Sequence, residues 1–208
     1  MPYMENNNQN NGNKVPMKEK VKKSLKEFWG VIKYAVIALV IVLPIRMFIA
    51  QPFVVEGESM FPTFHDGEYL IVDELSYNFH KPQRGDVIIF RYPGDTKRFF
   101  IKRIIGLPNE EIEIKNGVVK ILNKENKDGF TLDEPYIDEQ FDTTTTYKTE
   151  SDEYFVMGDN RNRSSDSRMW AEPLTTKLTH KLIIGRAYLR LFPLNRIDYL
   201  PGYFNENK

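Results

Sequence analysis

The sequence predicts a mainly β protein, in which a β-rich domain of packed antiparallel sheets follows one N-terminal transmembrane helix. Three observations lead to this expectation. An apolar segment lies near the N-terminus, and short runs rich in β-branched and aromatic residues recur after residue 51. Polar stretches or stretches containing Gly and Pro separate those runs. The 208 residues leave room for one domain of ordinary size with appendages.

The composition excludes several kinds of chemistry. The chain has no cysteine, which excludes a disulfide framework, a cysteine zinc site and a thiol nucleophile. Its three histidines, His65, His80 and His180, are dispersed and form no metal-binding pattern, so we expect neither a metal nor a cofactor. The 29 basic residues balance 29 acidic ones, which argues against a globally basic nucleic-acid-binding protein.

The charge is unevenly distributed along the chain. Residues 1–33 hold seven lysines and three glutamates, a net charge of +4, and the remainder carries −4. Residues 1–13 are polar and rich in asparagine, a composition that predicts disorder. We therefore interpret residues 1–27 as a cytoplasmic tail whose first part is disordered and whose second part is basic.

Residues 28–50 are predicted to form the transmembrane helix. The charge-free core, residues 34–45, has 12 residues, whereas a span needs roughly 20. Lys33 and Arg46 would therefore lie near the two interfaces and extend their charges into them. The lysines upstream predict a single-pass plasma membrane protein with its N-terminus inside and the remaining chain outside. A cleaved signal peptide and a buried core helix are the alternatives, but no small-x-small site follows and nothing upstream could cover a core helix.

Residues 51–200 are predicted to form an extracytoplasmic β-rich domain, followed by a C-terminal tail, residues 201–208. Strands are expected at residues 68–73, 86–92, 98–105, 111–122, 153–157 and 182–192. The alternating segment 111–122 is interrupted by Asn116-Gly117, which predicts a hairpin with a type I′ turn. The polar residues 123–150 indicate a surface insertion or long loop, so a hairpin and an insertion together span residues 109–150.

Three segments contain residues that serve neither a strand nor a core. Ser59 lies between Gly57 and Pro62, where a turn residue is the ordinary interpretation. Lys102 lies inside an apolar run, either on an exposed amphipathic strand or as a desolvated lysine whose neutral form burial favours. The polar loop of residues 157–168 follows a strand, and its side chains either carry function or tie the loop together.

In this order, after an N-terminal anchor, the three segments resemble the type I signal peptidases of peptidase family S26, membrane-bound enzymes that remove signal peptides from secreted proteins. The matching motifs are Gly57-x-Ser59-Met60-x-Pro62-Thr63, Gly85-Asp86-Val87, Lys102-Arg103-x-x-Gly106-Leu107-Pro108 and Gly158-Asp159-Asn160-Arg161-x-x-Ser164-x-Asp166-Ser167-Arg168. The resemblance extends from the anchor to about Pro193, and the single anchor and short insertion resemble the Gram-positive branch. It implies a β-rich catalytic domain with a variable insertion at residues 109–150.

The resemblance also implies roles for individual residues. Ser59 would be the nucleophile, and Lys102 would be the general base, which works only if it is neutral and hence buried. Ser164 matches the position that hydrogen-bonds and orients the lysine. The Ser59 backbone N–H would donate to the oxyanion. The supporting positions around the site would be Met60, Asp166 and Arg168.

Two departures from the family pattern limit this transfer of roles. Some members place a serine two residues before the nucleophile as a side-chain oxyanion donor, and here that position is Gly57. We therefore expect that donor to be absent or replaced by backbone or water. The loop has Asn162-Arg163 where a common family pattern has Asp-Asn, so we assign these two residues no catalytic role.

The expected function is a membrane-anchored serine endopeptidase with a Ser59–Lys102 dyad that cleaves signal peptides after small-x-small sites. Its expected partners are preprotein signal peptides, membrane lipid and the protein translocation machinery, and not nucleic acid. Nine residues separate Ala50 from Ser59, at most ~30 Å when extended, so the nucleophile would lie near the outer leaflet. Two alternatives stay open: a Ser–Lys protease with a regulatory or self-cleaving target, and a non-enzymatic anchored β module that binds a ligand.

Overall fold

The computed structural model describes residues 17–48, 50–170, 177–200 and 202 of the chain. The chain divides into two compact units, one ending at Ile45 and the other beginning at Arg46. The predicted disorder of residues 1–13 and almost all of the predicted C-terminal tail lie outside the described residues. The domain boundaries inferred from the sequence remain predictions.

The described part of the first unit lies within one long helix, α1 (Met17–Phe48). It begins well before the predicted span, within the lysine-rich stretch. Several of its described apolar side chains are exposed, including those of Trp29, Tyr34 and Val40. Within the described residues, no helix is both apolar and long enough to cross a membrane.

The second unit is built mainly from antiparallel strands in two sheets, which confirms the mainly β prediction. An eight-stranded sheet has the order β1-β2-β11-β3-β4-β9-β10, with β12 paired to β11, and a four-stranded sheet has the order β7-β6-β5-β8. The strands are β1 (Ala50–Val54), β2 (Tyr69–Asp73), β3 (Val87–Tyr92), β4 (Asp95–Gly106), β5 (Glu111–Lys115), β6 (Val118–Leu122), β7 (Phe130–Thr131), β8 (Thr145–Lys148), β9 (Glu153–Met157), β10 (Leu178–Thr179), β11 (Ile183–Phe192) and β12 (Asp198–Tyr199). A short helix, α2 (Ser167–Trp170), follows β9.

The hairpin β5–β6 forms as the sequence predicts. Ile112 and Ile114 are buried while Glu111 and Glu113 are only partly buried, so the apolar face of β5 packs inward. Asn116 and Gly117 have φ angles of 50° and 78°, the left-handed conformation that both central residues of a type I′ turn require.

The insertion is more ordered than its polar sequence suggests. Residues 123–150 were expected to be a surface insertion or long loop, but they contribute β7 and β8 to the smaller sheet. Leu132, Phe141 and Tyr147 from this region are buried against the hairpin isoleucines. The apolar residues are too widely spaced to give strand alternation, yet each one fills part of a common core.

A second core cluster fixes the position of the Ser59 turn. Met60 and Phe64 are fully buried. They pack with Val55, which follows β1, and with Leu70 and Val72 of β2. Burial of each such side chain contributes roughly 1.5–3 kcal/mol of hydrophobic stabilisation. The residue immediately after Ser59 is therefore held in the core, which leaves the serine little freedom to move.

Candidate active site

Ser59 lies in a turn closed by backbone hydrogen bonds. Val55 N–H donates to Glu68 O and Gly67 N–H donates to Val55 O, each at 2.9 Å, so residues 55–68 form a closed loop. Met60, one of the expected supporting residues, is part of this turn, and its side chain is buried in the core cluster with Val55 and Phe64. Ser59 itself is half-buried at the surface of this loop.

Gly57 adopts a backbone conformation that suits glycine. Its φ angle is 83°, and its N–H donates to Asp66 Oδ1 at 2.7 Å. A β-carbon at this position would meet no atom within 4 Å, so backbone conformation rather than space disfavours a side chain. A serine there would be strained, which agrees with the departure from the family pattern at this position.

Lys102 is buried beside Ser59. Its side chain is on β4, where Lys102 pairs with Ile88 of β3, and the residue is only 4% exposed. The distance from Lys102 Nζ to Ser59 Oγ is 2.8 Å, and Nζ also donates to Ile101 O at 2.8 Å. Of the two interpretations of this lysine, the desolvated one matches the structure.

Burial lowers the pKa of Lys102 from 10.5 to about 8. The negative charges of Asp166 and Asp159 oppose this shift and raise the pKa, but desolvation is the larger effect. A lysine with this pKa exchanges its proton near neutral pH, as a general base must.

Arg103 is also buried, on the opposite face of β4 from Lys102, so both faces of the strand bury a cation here. Its Nε and Nη2 donate to Asp159 Oδ1 and Oδ2 at 2.8 and 2.6 Å, and Nη1 donates to Gly85 O at 2.8 Å. Asp159 also accepts a hydrogen bond from Thr63 Oγ1 at 2.5 Å. Arg103 was part of a matched motif, but no role was assigned to it from the sequence.

The loop of residues 158–168 is held by its own charged side chains and is tied to the Ser59 turn. Arg168 Nε donates to Asp166 Oδ1 at 2.8 Å, and Gly158 N–H donates to Asp166 Oδ2 at 3.0 Å. Asn160 N–H donates to Ser59 O at 3.1 Å. Asp166 and Arg168 thus shape the loop, while Asn160 joins it to the Ser59 turn.

Ser164 is buried next to both Gly158 and Ser59. A β-carbon at Gly158 would overlap both Ser164 Oγ and Ser59 O, so only glycine permits this close packing. Among the described residues, Ser164 Oγ has no hydrogen-bond partner, and Lys102 Nζ is satisfied by Ser59 and Ile101 instead. The lysine-orienting role of Ser164 therefore stays a prediction.

A groove of about 590 Å³ opens at Ser59 and Lys102. One wall of the groove is formed by β1 and the residues that follow it, residues 52–56, and the other by residues 98–102 of β4. Ser165, from the loop of residues 158–168, also lines the groove. In the described part of the chain, β4 pairs with β9 only from Arg103 onward, so residues 98–102 have one edge without a strand partner.

The apolar residues that flank Ser59 divide between core and surface. Phe64 is fully buried, whereas Val54 and Phe61 are 47% and 39% exposed. Phe53 packs edge-on against Phe99 with 5.7 Å between the ring centroids, which brings β1 and β4 together at the groove.

No metal site is evident in the part of the chain that the structure describes. Within it, no group of three or more His, Cys, Asp or Glu side chains could hold a metal ion. The chemistry available at the groove is that of a hydroxyl, a buried amine and backbone hydrogen-bond donors.

Comparison with known proteins gives matches over most of the chain. The family model described as signal peptidase, peptidase S26, matches residues 28–192. A probable signal peptidase I-1 of Synechocystis is 39% identical over 176 residues, covering 80% of this chain and 84% of the relative. Signal peptidase I S of Bacillus subtilis is 37% identical over 188 residues, covering 85% and 94%. A crystal structure of a signal peptidase I from Enterococcus faecalis is similar with a TM-score of 0.43 at 29% identity, covering 51% of this chain and 97% of that one.

Proposed function

Because the chain belongs to the signal peptidase family, peptidase S26, we propose that it is a membrane-anchored serine endopeptidase that cleaves N-terminal signal peptides from secreted preproteins. The single observation that carries the proposal is the 2.8 Å contact between Lys102 Nζ and Ser59 Oγ, made by a lysine whose burial disfavours its charged form. A hydroxyl and a neutral amine in hydrogen-bond contact form a nucleophile and its base.

The proposed reaction begins with Lys102 neutral. Its amine takes the Ser59 proton while Oγ attacks the scissile carbonyl carbon, which gives a tetrahedral oxyanion and a Lys102 ammonium. The ammonium then returns the proton to the leaving amine as the peptide bond breaks, and an acyl-Ser59 ester remains. Lys102 next takes a proton from water, the hydroxide attacks the ester, and Ser59 leaves with the proton restored.

The lowered pKa decides how much of the enzyme is ready to react. At pH 7 a pKa of about 8 leaves roughly one-tenth of the lysine neutral. An unperturbed lysine would be neutral in only about three molecules in ten thousand at that pH. Burial therefore raises the reactive fraction by roughly two to three orders of magnitude.

The oxyanion would be stabilised by the Ser59 backbone N–H, held in place by the buried Met60 that follows it. Gly57 offers no side-chain donor, and its positive φ angle keeps this position a glycine. Any further donor must therefore come from the backbone or from water. We assign Asp166 and Arg168 supporting roles, because they shape the loop that Asn160 joins to Ser59.

An extended peptide fits the groove. The free edge of β4 at residues 98–102 offers backbone donors and acceptors to a strand, as in other complexes in which a peptide extends a sheet. Lys102 lies at the end of that edge, so a peptide paired there would present a carbonyl to Ser59. The small residues preferred at the first and third positions before the cut would enter shallow apolar pockets of this groove.

The anchor is proposed to be the segment at residues 28–50, with the N-terminus inside and the peptidase domain outside. The exposed apolar side chains of α1 and the lysines upstream support this topology. A nine-residue connection from Ala50 to Ser59 reaches at most ~30 Å, which keeps the nucleophile near the outer leaflet. Preproteins anchored by their signal segments present their cleavage sites there, so lipid and the translocation machinery are the expected neighbours.

The activity should rise with pH through the pKa of Lys102. We expect kcat/KM to fall about tenfold per pH unit below about pH 8, because protonation removes the base. The measurement is kcat/KM for a preprotein-derived peptide without titratable groups, between pH 5 and 9. A flat profile over that range would contradict a lysine base.

Replacing Ser164 by alanine should lower turnover without abolishing it. The buried Ser164 hydroxyl has no partner among the described residues, so it is available to the Lys102 ammonium that forms during the reaction. We expect kcat to fall about tenfold and the acid limb of the pH profile to move. An unchanged kcat with an unchanged pH profile would reject this role.

The proposed function is tested with the full chain in detergent and a preprotein substrate. Cleavage at the normal signal junction supports it, and cleavage only at another site favours a Ser–Lys protease with a regulatory or self-cleaving target. No cleavage of any substrate by a folded protein favours the non-enzymatic β module.

A further inference from the structure

One segment of the insertion, residues 134–141, lies against the loop of residues 158–168, and we call it the strap. At its outer end, Asn162 Nδ2 donates to Glu139 Oε2 and to Gln140 O, both at 3.2 Å. These are exposed contacts of modest value. The stronger contacts of the strap are buried and involve arginines.

Glu134 forms a buried ion pair with Arg161. Arg161 Nη1 and Nη2 donate to Glu134 Oε2 and Oε1 at 3.0 and 2.5 Å, and the two side chains are only 1% and 6% exposed. The same guanidinium donates through Nε to Gly158 O at 3.0 Å. Arg161 therefore links the strap directly to the first residue of the loop.

Aromatic side chains of the strap cover the neighbouring arginines. The Tyr136 ring centroid is 3.8 Å from Cζ of Arg103, and its hydroxyl donates to Glu134 Oε1 at 3.0 Å. The Phe141 ring lies 5.1 Å from Cζ of Arg161 and 5.4 Å from that of Arg168. Each of these arginines also contacts the loop or its carboxylates, so the strap closes one side of the charge network.

The loop carries this restraint to the Ser59 turn. Asn160 N–H donates to Ser59 O, and the neighbouring Asp159 is held by Arg103. Asp166, at the other end of the loop, accepts from Gly158 N–H and pairs with Arg168. A displacement of Gly158 or Arg161 would thus be felt at Ser59 through two or three hydrogen bonds.

We propose that Glu134 is a positioning residue for the peptidase reaction, which acts through Arg161 to hold the loop of residues 158–168 against the Ser59 turn. This inference rests on the proposed function. A buried arginine that loses its carboxylate is an uncompensated charge, and removing one partner of such a pair costs far more than removing both. Arg161 would then turn to Asp159 or Asp166, the carboxylates on its own loop, and disturb their pairing with Arg103 or Arg168.

Glu134→Gln tests the proposal with Asp138→Asn as its matched control, since Asp138 is an exposed carboxylate of the same segment. We expect kcat per active site, titrated with a serine-reactive covalent probe, to fall about tenfold while KM stays within twofold. KM is largely spared because β1 and β4 form the walls of the groove, to which the loop contributes Ser165 alone among the described lining residues. Asp138→Asn should match the wild type, and a kcat of Glu134→Gln within twofold of wild type would overturn the proposal.

A double-mutant cycle tests whether Glu134 acts through Arg161. In an Arg161→Met background, Glu134→Gln should change kcat by less than twofold, because no Arg161 guanidinium is left to lose its carboxylate partner. A persistent tenfold loss in that background would overturn the proposed route. If Glu134→Gln fails to fold, Tyr136→Phe removes the phenol hydrogen bond to Glu134, and a two- to threefold fall in kcat is expected.

Hydrogen exchange separates a failure of this inference from a failure of the proposed function. The amides of residues 158–168 should exchange at least threefold faster in full-length Glu134→Gln than in wild type or Asp138→Asn. Unchanged protection would overturn the inference whatever the activity. A wild-type protein that cleaves no preprotein would contradict the proposed function, and the exchange result would still decide whether Glu134 holds the loop of residues 158–168 in place.

Discussion

Ser59→Ala is expected to abolish cleavage of a preprotein, lowering kcat by about 10⁴-fold or more, because no other group can take over nucleophilic attack. Ser59 Oγ is the atom in contact with Lys102 Nζ at 2.8 Å, and its backbone is fixed by the buried Met60. Without the hydroxyl no acyl-enzyme can form. The variant can still bind the substrate and offer backbone hydrogen-bond donors to the scissile carbonyl, but it has no nucleophile of its own.

The loss must be chemical and not structural. Ser59 is half-buried, and alanine fits where serine did, so we expect the thermal melting temperature to stay within a few degrees. Ser151→Ala, at an exposed serine in the turn before β9, is the matched control and should retain wild-type turnover. Substantial cleavage by a purified, folded Ser59→Ala protein would rule out this serine as the nucleophile.

Lys102→Ala is expected to abolish processing as well, with kcat lower by about 10³-fold or more, since a serine hydroxyl without a base is a weak nucleophile. Lys102→Met keeps most of the buried side-chain volume and should be equally inactive, which separates loss of the amine from a packing defect. Lys102→Arg should fail too, because a guanidinium keeps its proton.

The matched control for the lysine is Lys97→Ala, an exposed lysine of the same strand. It should leave kcat unchanged, because its charge is in solvent. We further expect Lys102→Met to be no less stable than wild type, because an apolar group replaces an amine whose burial is unfavourable. Retained activity in Lys102→Met would contradict the proposed base.

Local patterns were sufficient for the regular β structure. The hairpin at Asn116-Gly117 could be predicted because its alternation and its turn chemistry lie within twelve residues. β1 was missed because Pro52 interrupts its sequence, although an edge strand tolerates proline where no N–H is needed. β7 and β8 were missed because the apolar residues of the insertion are sparse and become a core only in three dimensions.

The site itself could be predicted only in part. Ser59 and Lys102 are 43 residues apart, and no local pattern brings them together; the order of the motifs did so through a family resemblance. The pairing of Arg103 with Asp159 spans 56 residues, and the strap contacts at Arg161 span 27, so neither had a signal in the sequence. Charged residues that neutralise each other across such distances look, one by one, like ordinary surface charges.

The most direct test is cleavage of one preprotein by the full-length wild type, Ser59→Ala and Lys102→Met proteins side by side, with the product's new N-terminus read by mass spectrometry. We predict cleavage at the signal junction by the wild type and no product from either variant, all three being folded. A Lys102→Met protein that cleaves the same junction at a rate near that of wild type would contradict the Ser59–Lys102 dyad.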